Sequence, residues 1–335
     1  MITATAPCRA DLAGGTMDIW PLYLFHPGAV TVNFALTTLT RCTITALSGK
    51  IIHLCSLDTG REERFASLDA LWRTRRYQHP LAACLVRWFR PRRGFRLETD
   101  SASPAGAGIS GSSALMIATA AALAHFTGRS LGREALRVLA QNAEAQLIGV
   151  PTGCQDYYPA LYGGVNAIHL DADGVHREAL PVPPAELDAR FLLAYTGAPR
   201  QSGINNWEVF KAHLDGDRRV FRNFEQIASI ARAMRDALAD RDWDAAARLL
   251  NAEWKLRKTN APTITTPRIE RLIAVARRHG ARAAKVCGAG GGGCVLFLTE
   301  PEARARVARA LAAHGGVVLP AQLARRGLHL SERLR

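Results

Sequence analysis

The chain has 335 residues, of which 48% are hydrophobic and 21% are charged, and its formal net charge at pH 7 is +14. This length predicts two domains and a large buried core. The apolar runs are too short to cross a bilayer, which argues against a membrane protein or a membrane partner. The arginine clusters are dispersed and lack interleaved aromatic residues, which argues against nucleic-acid binding as the main role.

The N-terminus and the cysteines indicate where such a chain works. No basic region precedes an apolar stretch at the N-terminus, so no signal peptide is predicted. The seven cysteines form no C-x-x-C pair, and their odd number argues against a disulfide framework. We therefore expect reduced thiols and a cytoplasmic protein.

The first half of the chain is predicted to combine short strands with two helices. β-branched residues and apolar runs predict these elements in order: strands over 30–36, 42–47 and 51–54, helices over about 112–127 and 131–148, and a strand over 163–170. The prolines at 181–184 then mark a boundary between a domain at 1–180 and a second at 185–335.

The second half is predicted to hold a strand, three helices, a strand pair around a glycine-rich turn, and a last helix. These elements are predicted over 191–195, about 218–239, 242–258 and 267–279, then 283–286 and 294–298, and finally 301–313. The mixture indicates an α+β fold rather than a regularly alternating βαβ fold.

Charges and glycines mix in residues 6–18, where a strand would otherwise continue. Arg9, Asp11 and Asp18 are the charged residues of this segment. They fit either a tight loop with surface charges or a polar cradle for a substrate.

A second glycine-rich segment, residues 104–114, directly precedes the apolar run 115–123. A loop of this kind at a helix start gathers free backbone N–H groups at the positive end of the helix dipole, which favours phosphate binding. Ser112 and Ser113 would lie at the helix entrance, where a hydroxyl can cap the helix or bind magnesium. The segment lacks the Gly-Lys-Ser/Thr of a Walker A loop, and no clear strand is predicted to lead into it. A flexible turn before a core helix is the alternative.

Two carboxylates follow in positions that allow two interpretations each. Glu144 falls at the edge of an apolar helical stripe. It could be a magnesium ligand or a boundary glutamate paired with an arginine. Asp156 follows a loop that is stiff at Pro151 and free at Gly153. It could act as a general base or cap the helix that starts at Tyr157.

The third glycine-rich segment has five glycines in the six positions 288–293. Glycine is entropically costly, and a tight hairpin needs only one or two. Five together indicate a close approach of this backbone to other backbone or to a ligand.

Together these segments resemble the motifs of the GHMP kinases, which include galactokinase, homoserine kinase, mevalonate kinase and phosphomevalonate kinase. Residues 7–18, 104–114 and 285–293 match the three family motifs in order. The resemblance implies a two-domain α+β fold, with an N-terminal half like domain 2 of ribosomal protein S5 and a ferredoxin-like C-terminal half. It also implies ATP and Mg²⁺ in the cleft between the halves, and a monomer or homodimer.

The resemblance also implies roles for individual residues. Asp156 matches the catalytic base, Arg9 the cationic catalytic residue of the first motif, and Ser112 with Glu144 the magnesium ligands. The residues that match the ATP phosphate loop are Pro104, Gly106, Ala107, Gly108, Ser110, Gly111, Ser112 and Ser113. The residues expected to contact the acceptor are Gly15, Thr16, Asp18, Arg200, Ser202, Gly288, Gly290 and Gly291.

Departures from the family pattern bear on the substrate. Gly15 and Thr16 stand where galactokinases have Glu-His, which argues against galactose, and Gly111 replaces a usual serine, which leaves the metal ligand open between Ser112 and Ser113. The pattern is most similar to the heptose-phosphate kinases, which phosphorylate the anomeric hydroxyl of a sugar or sugar phosphate. A mevalonate-type kinase or decarboxylase and a non-catalytic sensor that binds ATP and sugar are the two alternatives.

Overall fold

Two β-sheets organise the fold, which we describe from a computed structural model for residues 1–199 and 204–333. The strands are β1 (Ile2–Ala13), β2 (Ala29–Ala46), β3 (Ile52–Ser56), β4 (Arg61–Phe65), β5 (Phe95–Ser101), β6 (Val165–Asp171), β7 (Gly174–Leu180), β8 (Phe191–Tyr195), β9 (Ala281–Val286), β10 (Cys294–Thr299), β11 (Val317–Val318) and β12 (His329–Glu332). The helices are α1 (Leu68–Arg73), α2 (Pro80–Phe89), α3 (Gly111–Phe126), α4 (Arg133–Ile148), α5 (Tyr157–Tyr162), α6 (Pro184–Arg190), α7 (Ile204–Leu214), α8 (Arg218–Ala239), α9 (Trp243–Asn260), α10 (Pro267–Arg278) and α11 (Pro301–Ala313).

The first sheet has eight strands in the order β12-β1-β2-β5-β3-β4, with β6 and β7 added alongside β2. Strand β2 is one continuous element of 18 residues, so the prediction of separate strands at 30–36 and 42–47 is wrong. The polar residues between those runs include three threonines, which are good strand formers on a half-exposed surface. One part of β2 pairs with β6 and the other with β5, while β1 pairs along both parts.

Strand β5 leads almost directly into the glycine-rich segment at 104–114. The prediction that no strand precedes this segment is therefore wrong. Residues 99–101 are polar, yet they continue the ladder by pairing with residues 40–42 of β2. Their backbone groups are satisfied by the ladder, and polar side chains are tolerated because the strand end is only partly buried.

The second sheet has four strands in the order β11-β8-β10-β9. Along the chain β8 is followed by helices, then by β9, β10, α11 and β11, which is the β-α-β-β-α-β arrangement of a ferredoxin-like unit. The predicted ferredoxin-like character of the C-terminal half is thus confirmed. Helix α8 packs against β1 and β2, and β12 pairs with β1, so the second half also contributes to the first sheet and its core. The division at 180/185 stays a prediction.

Helix α3 is the most deeply buried long helix of the first half. Its Ala, Leu, Ile and Met side chains are buried on nearly every side, because the helix is packed against β1 and β2, α2 and α4. Its N-terminus at Gly111 adjoins the glycine-rich loop. No helix of the described residues is long and apolar enough to cross a membrane. None of the seven cysteines, all of which lie in the described residues, forms a disulfide, as predicted.

Candidate active site

A cavity of about 360 Å³ brings together side chains from all three glycine-containing segments. Its volume falls in the range of small-molecule sites, roughly 300–1,000 Å³. The first segment contributes Arg9, Thr16 and Asp18, and the second contributes Ser110, Ser112 and Ser113. Further polar parts of the lining come from Glu144, Gln155, Asp156, Asn206, Arg257 and the backbone of Gly288.

The second segment forms a tight turn before α3. Gly106 and Gly108 have φ of 67° and 78°, and Ser110 has φ of 56°, so the chain turns sharply through left-handed conformations there. Pro104, Gly106, Ala107 and Gly108 shape this turn, whereas the serines at its end line the cavity. At Gly111 a Cβ would lie 2.9 Å from the side chain of Ser103, which explains a glycine in place of the usual serine.

The start of α3 is suited to an anion. The helix is 16 residues long, and the N–H groups of its first turn have no intrahelical acceptors. Their partial positive charge points toward the cavity-lining serines. Ser110 Oγ is buried and has no hydrogen-bond partner among the described residues. A phosphate oxygen at this point would supply the missing partner.

The third segment lies against the second and against the loop before α10. A Cβ at Gly293 would lie 2.6 Å from the carbonyl oxygen of Ala107, and one at Gly290 would lie 2.4 Å from that of Ile264. Gly291 N–H donates to the same Ile264 carbonyl at 2.8 Å. Gly288 lines the cavity, but Gly290 and Gly291 face Ile264 and are not part of the lining. Close backbone contacts on two sides therefore account for the glycine run.

Glu144 is buried, and its hydrogen-bond donors among the described residues are all hydroxyl groups. Ser112 Oγ lies 2.5 Å from Oε1, while Ser113 Oγ and Tyr157 Oη lie 2.7 and 2.6 Å from Oε2. Burial and the charge of Glu144 raise the pKa of Tyr157 well above its usual value, so its hydroxyl stays protonated. No arginine or lysine of the described residues forms an ion pair with Glu144, so the alternative of a boundary glutamate paired with an arginine is wrong.

A buried carboxylate without a cationic partner is costly, and this one faces a cavity. The carboxylate oxygens of Glu144, together with the hydroxyls of Ser112 and Ser113, are hard oxygen ligands of the kind that Mg²⁺ prefers. The donor set therefore fits the metal. Both serines contact Glu144, so the geometry leaves open which of them would be the second ligand.

Asp156 forms an ion pair with Arg9, whose Nε and NH2 lie 2.8 and 2.6 Å from Oδ1. Its side chain makes no capping hydrogen bond to α5, so the capping alternative is wrong. Arg9 NH1 donates to the carbonyl of Gly108 at 2.7 Å, which ties the pair to the phosphate-loop turn. Burial alone would lower the pKa of Arg9, but the charges of Asp156 and Asp11 outweigh it and raise that pKa.

Asp18 is buried beside the Arg9–Asp156 pair. It accepts hydrogen bonds from Gln155 N–H at 2.8 Å and from Gln155 Nε2 at 3.3 Å. Burial and, second, the charge of Asp156 raise the pKa of Asp18 to about 6. A Cβ at Gly153 would lie 2.0 Å from Asp18 Oδ2, so this glycine is required for the carboxylate to sit where it does.

Gly15 and Thr16 adjoin Asp18 at the same edge of the cavity. Thr16 has φ of 78°, an unusual value for a β-branched residue, and its Oγ1 donates to Asn206 Oδ1 at 2.9 Å. A Cβ at Gly15 would lie 3.1 Å from Arg257 NH1, so the backbone approaches that guanidinium closely. Arg200 and Ser202, also predicted to contact the acceptor, lie outside the described residues.

A buried network of charges beneath the cavity was not predicted from the sequence. Lys285 Nζ lies 2.7 Å from Asp11 Oδ2 and 2.8 Å from Glu253 Oε1, and all three residues are at most 1% exposed. Arg257 NH1 lies 3.4 Å from Asp11 Oδ2, and Arg257 NH2 donates to the carbonyl of Gly288. Burial alone would raise the pKa of Asp11, but Lys285, Arg9 and Arg257 hold it well below its usual value.

One sequence signal could have revealed this network. Glu253 and Arg257 are one helical turn apart on α9 and flank the buried Trp254, so two charges share a face with core residues. The strand location of Arg9 and Asp11 likewise excludes the interpretation of residues 6–18 as a loop with surface charges. Both side chains point into the protein from β1.

Comparison with known proteins gives two family matches and several similar proteins. The family described as "GHMP kinases N terminal domain" matches residues 75–164, and "GHMP kinases C terminal" matches residues 234–317. The chain is 28% identical to D-glycero-alpha-D-manno-heptose 7-phosphate kinase of Campylobacter jejuni, over 95% of both chains. It is 27% identical to mevalonate kinase of Thermococcus gammatolerans, over 72% of this chain and 70% of that one.

Among solved structures, the chain is similar to a D-glycero-D-manno-heptose 1-phosphate kinase from Bacteriodes thetaiotaomicron. The TM-score is 0.80 at 24% identity, and the match covers 100% of both chains. This likeness supports the two-domain fold. The second and third glycine-rich segments lie inside the two matched family domains, whereas the first, at 7–18, lies before them.

Proposed function

Since the chain belongs to the GHMP kinase family, a family of phosphotransferases, we propose that it transfers the γ-phosphoryl group of ATP to a hydroxyl of a sugar or sugar phosphate, with Mg²⁺ as the metal. One observation carries this proposal. The Arg9–Asp156 pair and the Ser112–Glu144 pair line one cavity at the N-terminus of α3.

The ATP phosphates would lie at the start of α3. The first-turn N–H groups, the helix dipole and the unpartnered Ser110 hydroxyl all favour negative charge there. Ser112 or Ser113, together with Glu144, would hold Mg²⁺. When bound, the metal would supply charge neutralisation for the phosphoryl oxygens, which is most of what a phosphoryl-transfer site must provide.

Asp156 would orient the acceptor hydroxyl and accept its proton. As the hydroxyl oxygen bonds to the γ-phosphorus, the bond from that phosphorus to the β-phosphate oxygen breaks and ADP leaves. Arg9 uses its Nε, NH1 and NH2 groups on Asp156 and Gly108, so it would act by holding the base in position beside the phosphate loop.

The acceptor is proposed to be a heptose phosphate or a similar sugar, phosphorylated at its anomeric hydroxyl. Asp18 can accept a hydrogen bond from a sugar hydroxyl, and Thr16 and Asn206 add neutral polar groups at the same edge of the cavity. Two relatives named as heptose-phosphate kinases, matched along nearly the whole chain, favour this class over mevalonate. We also infer a cytoplasmic location, which suits seven reduced thiols and an ATP-dependent enzyme.

The test is a screen of sugars, sugar phosphates and mevalonate with ATP and Mg²⁺, read out by ADP release and by NMR of any product. Parallel assays with Asp156→Asn give the background from contaminating kinases. Turnover with a sugar phosphate that falls by about 10² or more in the variant supports the proposal. Turnover with mevalonate alone would identify the isoprenoid alternative, and ATP binding without turnover on any acceptor would identify a sensor.

A further inference from the structure

We propose that a second cleft, distant from the active site, binds a small anion that carries two or more phosphate groups. This arginine cleft has a volume of about 440 Å³. Its lining includes four arginines and two phenylalanines: Arg90, Arg92, Arg93, Arg129, Phe89 and Phe126. The family motifs do not extend to it, and the kinase chemistry above makes no use of it.

Positive charge is concentrated around this cleft. Residues 70–97 contain eight arginines and no aspartate or glutamate, in a chain whose net charge is +14. None of the residues that line the cleft is acidic. Glu332 lies nearby, but it forms its ion pair with His125, and that hydrogen bond lowers its pKa more than Arg93 does. An arginine-rich composition alone would leave these residues dispersed over the surface, whereas the fold brings four of them together in one cleft.

Helix ends offset only part of this charge. The C-termini of α2 and α3 both lie at the cleft, and each carries a partial charge of about −0.5. Against four guanidinium groups, about three positive charges remain uncompensated. Like charges held together in one concavity repel each other, and a polyvalent anion would relieve that repulsion.

Aromatic rings hold three of the four guanidinium groups in place. Arg90 lies 5.1 Å from the ring centroid of Trp72, Arg93 lies 4.6 Å from that of Phe126, and Arg129 lies 4.9 Å from that of Trp88. Stacking uses the flat face of a guanidinium and leaves its N–H edge free for a phosphate. Within the described ranges, none of the four side chains forms an ion pair with an acid, so their N–H groups are available for bidentate contacts.

The cleft and the active site lie at opposite ends of the same two helices, α2 and α3. Helix α2 starts at Pro80 in the active-site cavity and ends at Phe89 in the arginine cleft. Helix α3 starts at the phosphate loop and ends at Phe126 in the cleft, which at about 1.5 Å per residue is roughly 24 Å away. A small ligand cannot reach both sites, so the arginine cleft is a separate site.

The geometry favours a small anion over a nucleic acid. The four arginines converge on one concavity of small-molecule size rather than form an extended stripe. Trp72 and Trp88 are the exposed aromatic rings beside it, but both are covered by arginines, since Arg87 also stacks on Trp72 at 4.8 Å. At least one face of each ring is therefore occupied by a guanidinium group, which leaves less of the ring for base stacking.

Inorganic tripolyphosphate is the probe for the test, titrated by calorimetry into the full chain at fixed salt. The cleft variant is Arg92→Gln/Arg129→Gln. The control is Arg218→Gln/Arg219→Gln, which removes the same charge from exposed positions on α8. We expect the cleft variant to lose one binding event, with at least a 10-fold drop in affinity, while the control keeps it; any binding at the phosphate loop persists in both variants.

Two results would overturn the proposal. The first is unchanged stoichiometry and affinity in the cleft variant, or an equal loss in the control, which would mean non-specific attraction. The second is tight binding of a 20-nucleotide single strand through these arginines with no binding of tripolyphosphate, which would identify a nucleic-acid surface instead. Orthophosphate, with a single phosphate group, should bind the cleft at least 10-fold more weakly than tripolyphosphate.

Discussion

Asp18→Asn should stabilise the protein at neutral pH although it removes a residue of the proposed acceptor site. The pKa of Asp18 is raised from 3.8 to about 6, first by burial and then by Asp156. Each pKa unit corresponds to about 1.4 kcal/mol, so keeping this carboxylate ionised in the folded state costs about 3 kcal/mol. Since the folded state binds the proton more tightly than the unfolded state, the cost is complete above pH 6 and vanishes below about pH 4.

An asparagine can be accommodated at this position. Its Oδ1 can accept the hydrogen bond from Gln155 N–H. A flip of the Gln155 side-chain amide then lets the asparagine NH2 group donate to Gln155 Oε1, which is buried and has no partner among the described residues. Urea denaturation should therefore give a free energy of unfolding about 3 kcal/mol above that of the natural protein at pH 7.5. The difference should shrink to about 1 kcal/mol at pH 4.5.

Asp11→Asn is the matched control, because Asp11 is equally buried but its pKa is held low by Lys285, Arg9 and Arg257 against the effect of burial. Asp11→Asn should destabilise the protein at pH 7.5, whereas Asp18→Asn should stabilise it at the same pH. The reasoning is refuted if Asp18→Asn lowers stability at pH 7.5, or if its effect is the same at both pH values. Whatever its effect on stability, Asp18→Asn should raise the KM for the sugar substrate, since the carboxylate proposed to accept a hydrogen bond from a sugar hydroxyl is lost.

Three further variants test the site and its support. Asp156→Asn should reduce turnover by about 10² or more while the nucleotide Kd stays nearly unchanged, and retained turnover would remove Asp156 from the role of base. Glu144→Gln should shift the magnesium dependence of ADP release to higher concentrations, and an unchanged titration would return Glu144 to a structural role. Lys285→Met should cost about 3–5 kcal/mol of stability because Glu253 stays buried without its cation. Lys258→Met, which removes a partly exposed pair, should cost less than about 1 kcal/mol, and equal losses would contradict the burial argument.

Prediction from the sequence succeeded where a local pattern carries its own physical reason. The helices at Pro267–Arg278 and Pro301–Ala313 begin at prolines, which suit the first helical position, and their apolar periodicity is clear. The strand at Cys294–Thr299 is apolar up to Leu298 because it is buried on both faces. The α2 helix was missed because arginine runs on either side obscure a ten-residue apolar stripe.

The interpretation of Glu144 and Asp156 shows where local reasoning stops. From the helix and loop alone, a boundary glutamate paired with an arginine and a helix-capping aspartate were the favoured interpretations, since both are common uses of a carboxylate. The alternatives separate only when residues 32 and 147 positions away are known, because Ser112 contacts Glu144 and Arg9 contacts Asp156. The family motifs supplied that long-range information in advance, in the form of residues that occur together.

The buried charges beneath the cavity explain why the first segment carries two aspartates with opposite properties. Asp11 compensates Lys285 and Arg257, which come from β9 and α9, so it links the first sheet to the second half of the chain. No cation of the described residues forms an ion pair with Asp18, which instead lies near the carboxylate of Asp156 at the edge of the cavity. An acid that is stabilised by its surroundings serves the fold, and one that is destabilised is available to a ligand. The spacing of these aspartates in the sequence does not reveal this difference, because two of the three cations that hold the pKa of Asp11 low, Lys285 and Arg257, are more than 200 residues away.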